Sequence, residues 1–130
     1  MGWMAERKIV FLDTHVVVWL YLGKKIFTNR AHQLMNESDL RISPIVRLEL
    51  MLLYRKGRIT HPYNILSYLK KYFLFDEDRI DFSLLINKCL SLEFTNDPFD
   101  RLIAAHAAFR ETYLITKDRD LLQNLDEAIW

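Results

Sequence analysis

The chain reads as an α/β protein built on a central parallel sheet, and two observations predict this. Short apolar runs rich in β-formers, such as KIVFL and TYLIT, recur along it, and stretches with helix-spaced apolar residues separate them. Strands alternating with helices need crossover connections, which make the strands parallel and place helices on the sheet faces. At 130 residues, 51% hydrophobic and 27% charged, the composition is that of a globular protein. It predicts a single domain over residues 1–130 with a genuine core.

The elements follow in order. KIVFL, residues 8–12, is a first strand buried on both faces, ending at Asp13. THVVVWLYL then reads as a helix, against the β-branched bias of its three valines. A second helix spans residues 28–37 with Thr28 as cap, and LRIS, residues 40–43, is a second strand. Pro44 suits the first position of a helix that runs to about Arg55, with Gly57 closing it. HPYNILSYLKKYF spaces Ile65, Leu66, Leu69 and Phe73 as a helix does, and residues 81–92 repeat the pattern. A helix from Asp97 to about Arg110 precedes a strand at 112–116, a short helix and a last strand near Ala128.

Several function classes fall away. No apolar run approaches the roughly 18 residues that span a bilayer, and the N-terminal apolar run is too short for a signal peptide. With a lone cysteine, Cys89, read as a small buried hydrophobe, these features place the chain in the cytoplasm without membrane contact. A net charge of +1 is too small to grip long nucleic acid by overall field, and the clusters YRKGR and LKKY read as solvated faces. His15, His32, His61 and His106 lack zinc-type spacing, and neither a phosphate-binding glycine loop nor a GxSxG elbow is present. Trp3, Trp19 and Trp130 read as core or interface residues rather than stacking platforms.

The carboxylates are more informative. Asp13 and Asp118 each fall just beyond a strand, at the sheet edge where α/β proteins bind ligands, although aspartate there also caps helices. Glu49 has Ile45, Val46, Leu52 and Leu53 at the positions three and four residues away, inside an apolar stripe. Burying an ionised carboxylate costs several kcal/mol unless compensated, so Glu49 implies either a buried ion pair or a functional acid at the core's edge. Asp97 before Pro98 fits an N-cap; Asp100, on the next turn, is not needed for capping. If Asp13, Glu49, Asp100 and Asp118 converge, they cannot all stay ionised without protons or hard divalent cations. One or two such ions are the means by which an acidic pocket accepts and hydrolyses a phosphodiester.

The ordered set VFLDTHVVVWL, ISPIVRLELMLLYRKGRI, DPFDRLIAAHA and LITKDRDL resembles the PIN-domain ribonucleases, in particular the VapC-like toxins of prokaryotic toxin–antitoxin pairs. The resemblance runs from Ile9 to about Leu122; Leu48 departs from it, where many relatives carry an aromatic residue, and nothing functional maps onto residues 60–94. It implies a three-layer α/β/α fold and a magnesium- or manganese-dependent endoribonuclease. Asp13, Glu49, Asp100 and Asp118 match the family's four acids, as catalytic residues and metal ligands. Asp97 matches an additional acid, Asp120 a supporting one, and Thr14 and Thr116 the flanking hydroxyls suited to orient carboxylates or water. Arg101 and Lys117 are the expected phosphate contacts. RNA as substrate, a small antitoxin as partner and a homodimer are further implications. The rivals are a PIN-like RNA-processing nuclease, a binding module with no toxin role and, ranked lower, a DNA nuclease.

Overall fold

A computed structural model describes residues 7–94 and 97–130. Val10, Phe11 and Leu12 are each at most 1% exposed although their side chains alternate in direction, so the strand that carries them is covered on both faces. This is β1 (Lys8–Leu12), flanked by β2 (Ser38–Ile42) and β4 (Tyr113–Ile115), with β3 (Phe75–Glu77) and β5 (Ala128–Ile129) at the edges. The order is β3-β2-β1-β4-β5 and every pairing is parallel, with Val10 opposite Leu40 and Leu12 opposite Ile115. The predicted central parallel sheet with helices on both faces is the architecture observed. The chain moves outward from β1 through β2 to β3 and returns to β4 on the other side, so the order reverses at β1. Ligands of such sheets bind beyond the strands' carboxyl ends at this switch point.

The described helices are α1 (Thr14–Leu22), α2 (Asn29–Glu37), α3 (Pro44–Arg55), α4 (Pro62–Tyr72), α5 (Phe82–Leu90), α6 (Pro98–Phe109) and α7 (Arg119–Asn124). Helix α1 forms despite its valines because Val16, Val17 and Val18 are all buried, and tertiary packing outweighs a weak propensity. It stops at Gly23, whose φ of 66° is left-handed and whose N–H, with that of Lys24, satisfies carbonyls of the last turn. Gly57 ends α3 in the same way, at φ 72°.

β3 is an addition to the sequence reading, and β2 begins two residues before the expected LRIS. Cys89 is only partly buried, at the end of α5, rather than a core residue. The basic residues of YRKGR and LKKY are exposed, as expected for solvated faces. Trp3 lies outside the described residues. Among the described residues no helix is long and apolar enough to cross a membrane.

Candidate active site

Asp13 leaves β1 at its carboxyl end and becomes the N-cap of α1, accepting the Thr14 N–H at 2.8 Å on Oδ1. Its backbone N–H continues the sheet ladder to the Ile115 carbonyl at 3.0 Å. The other carboxylate oxygen, Oδ2, accepts from the Thr116 hydroxyl at 2.7 Å, and the same hydroxyl oxygen accepts the Asp118 N–H at 3.0 Å. One buried threonine at the end of β4 thus fixes both acids of the central sheet edge. Asp118 in turn caps α7 through the Leu121 N–H at 2.9 Å.

Glu49 reaches the same place from α3. It stands beside the fully buried positions Val46 and Leu50 and is itself half-buried, at the border of the apolar stripe. Its compensation is a short hydrogen bond from the Thr14 hydroxyl, and no lysine or arginine forms an ion pair with it among the described residues. Of the two readings of Glu49, the buried ion pair is not the arrangement found among the described residues. Thr14 and Thr116 each bind a carboxylate from another element: Thr14 on α1 holds Glu49 on α3, and Thr116 beyond β4 holds Asp13 beyond β1.

Asp97 and Asp100 arrive on α6. Asp97 is its N-cap, accepting the N–H groups of Phe99 at 2.9 Å and Asp100 at 3.1 Å, with Pro98 at the first helical position. Asp100 projects into the same cleft as Asp13, Glu49, Asp97 and Asp118, a volume of about 420 Å³. The electrostatic consequence is large. Burial and the neighbouring charges of Asp13, Asp97, Asp118 and Glu49 push the Asp100 carboxyl up to about 7. Burial also raises Asp13 and Glu49, against the hydrogen bonds from Thr116 and Thr14 that favour their charged forms.

The remaining expected residues divide. Lys117 lines the cleft, with its ammonium 5.8 Å from the centre of the Trp130 ring. Arg101 turns elsewhere: its guanidinium donates to the Cys89 and Leu92 carbonyls at the end of α5, which joins that end to the start of α6. Asp120 lies in the first turn of α7, accepting from the Asn124 amide at 3.2 Å, and is not part of the cleft wall. His15 and Trp19 do line it; the sequence reading gave His15 no role there and took Trp19 for a core or interface residue, and Trp19 does pack against the core while also facing the cleft. Their i, i+4 spacing directly after Asp13 was the available signal.

An all-oxygen donor set held half in and half out of solvent fits a hard divalent cation by its chemistry. Among the described residues, no group of three or more His, Cys, Asp and Glu is assembled closely enough to hold one as placed.

Together, the parallel sheet and the carboxylates at its switch point define an α/β protein with an acidic cleft beyond the carboxyl ends of its strands. Residues 10–127 match the PIN domain model, and the chain belongs to the PIN-domain family. The fold is also that of solved toxin–antitoxin structures. VapBC2 from Rickettsia felis, bound to a DNA fragment from its promoter, superposes at a TM-score of 0.64 with 20% identity, over 93% of this chain and 96% of that one. A toxin–antitoxin complex from Klebsiella pneumoniae gives 0.67 at 19% identity over the same shares. VapBC-1 from nontypeable Haemophilus influenzae gives 0.60 at 19% identity, over 94% and 96%. No curated protein sequence matches the chain.

Proposed function

We propose that this protein is a divalent-metal-dependent endoribonuclease and the toxin of a toxin–antitoxin pair. The observation that carries the reading is the meeting of Asp13, Glu49, Asp97, Asp100 and Asp118 in one cleft, from four separate regions of the chain. Burial, together with repulsion from Asp13, Asp97, Asp118 and Glu49, holds Asp100 near 7, and the repulsive part is what cations relieve. Asp13, Asp100 and Asp118 would hold one or two magnesium or manganese ions, with Glu49 as a further ligand or acting through water. Such ions, when bound, supply activation of a water and neutralisation of phosphate charge.

The chain's own groups do the positioning. Thr116 fixes Asp13 and the start of the Asp118 turn, and Thr14 fixes Glu49. Lys117, on the cleft wall, contacts a substrate phosphate. Asp97 acts first as the cap that presents Asp100. Likeness to toxin–antitoxin structures supports a small antitoxin as partner, and a homodimer as the working unit is an expectation from the family resemblance alone. The test is RNA cleavage with and without magnesium, together with growth on expression. Asp13→Asn is expected to abolish cleavage and growth arrest while leaving Tm unchanged or higher, because it removes a buried charge from a repelling set. Full cleavage by that variant would overturn the site. Equal growth with parent and variant would overturn the toxin role alone.

A further inference from the structure

Acidic side chains and water satisfy a cation, so an aromatic wall beside them needs a separate explanation. Such a wall is present. His15 and Trp19 lie one helical turn apart on α1 and both line the acidic cleft, with Val16 between them. Their ring centroids are 5.9 Å apart and tilted by 41°, so they do not seal each other in a parallel stack. Trp19 is braced from behind: Trp130 meets it at 5.9 Å with the rings 68° apart, and Phe27 holds Trp130 at 5.5 Å. Lys117 sits over the same Trp130 ring, so one aromatic cluster sets both the wall and the cleft's ammonium group. His15 is exposed and contributes nothing to the core.

We infer that His15 and Trp19 form a stacking subsite for a nucleobase next to the phosphate that cations at the carboxylates would accept. This rests on the ribonuclease reading and deepens it. A flat, partly apolar ligand that is also tied to a phosphate matches both walls of the cleft, and a nucleotide unit is that ligand. Every base has a π face, so the subsite tolerates sequence and instead demands that the base be unpaired. The stiff backing of Trp19 avoids an ordering cost on binding.

The test uses the full chain and a short unstructured oligoribonucleotide, with binding read in calcium, a hard divalent ion used to slow cleavage, and cleavage read in magnesium. A second strand is identical except for one abasic position, moved along the sequence. Loss of one stacked base corresponds to roughly a 5- to 150-fold weaker Kd. His15→Ala and Trp19→Leu are each expected to weaken binding of the intact strand about tenfold, and in magnesium to raise KM with little change in kcat. His15→Phe and Trp19→Phe, which keep a ring, restore binding. One abasic position should weaken binding to the parent and not to the variants. Unchanged Kd in both variants, or an equal penalty for the abasic strand in parent and variants, overturns the stacking subsite. A parent that neither binds nor cuts the strand overturns the ribonuclease reading as well. Cleavage by the parent together with stacking-insensitive binding overturns this inference alone.

Discussion

Thr116 shows how much of the cleft hangs on one hydroxyl. It is fully buried, donates to Asp13 and accepts from the Asp118 backbone, so it joins the two strands whose ends carry the central acids. Thr116→Val keeps the shape and leaves a buried carboxylate oxygen and an N–H without their partner. The expected cost is about 1–3 kcal/mol in stability, read by urea unfolding. Groups that orient metal ligands matter about 10- to 100-fold to affinity or rate, and metal-dependent cleavage should fall by that amount. A variant with parental activity would mean that Asp13 is held well enough by the Thr14 N–H alone. The residue was legible in the sequence only through its place beside Asp118. That its hydroxyl serves Asp13, more than a hundred positions earlier, follows from the pairing of β1 with β4, which no local pattern encodes.

The N-terminus of α6 separates structure from charge at the level of an element. Asp97 accepts two backbone N–H groups there and also adds to the field that raises Asp100. Asp97→Ser retains a capping oxygen and removes the charge, whereas Asp97→Ala removes both. The alanine variant should lose about 1 kcal/mol of stability and the serine variant little of it, measured by thermal unfolding without metal. Equal losses would show that the charge, not the cap, sets the contribution. Helices of this kind are legible because caps, prolines and apolar spacing are local signals, as at Thr28, Pro44 and Pro98. β3 is not legible. FDE has one apolar residue in three and lies at the sheet edge, where its pairing to β2 is supported from afar. Arg47 of α3 grips Glu77 through two hydrogen bonds, at 2.6 and 3.1 Å. Just beyond, the Asp78 carboxylate binds His106 of α6 at 2.8 Å and Arg110, the residue that caps that helix, at 2.7 Å. Side chains from two helices thus fix a strand whose own sequence reads as a turn.

For the whole molecule, the acids were recognisable one by one, and their meeting makes a stability that depends on pH. Asp100 at about 7, with Asp13 and Glu49 also raised, means that the folded chain holds protons the unfolded chain has released. The slope of unfolding free energy with pH follows the protons bound by the unfolded state minus those bound by the native state. Here that difference is negative between the ordinary carboxylate range near 4 and the raised value near 7. These three acids therefore weaken the metal-free fold as pH rises through that window, the reverse of a salt-bridged aspartate. Asp78 and His106 act oppositely: the hydrogen bonds from His106 and Arg110 outweigh burial to lower Asp78, and burial lowers His106, so both favour the fold as pH rises. Asp100→Asn isolates the acidic contribution. Without divalent ions, the parent should lose stability relative to Asp100→Asn between pH 4 and 7. Discounted for the water around a half-exposed group, the difference is on the order of 1 kcal/mol, or a few degrees in Tm. Magnesium should raise the parent's Tm more at pH 7.5 than at pH 5, because at the lower pH it competes with the proton on Asp100. The same ion should do little for Asp100→Asn. Parallel Tm profiles for parent and variant across this range would mean that Asp100 does not share the field of Asp13, Glu49 and Asp118, and the cleft would lose its claim to bind cations as one unit.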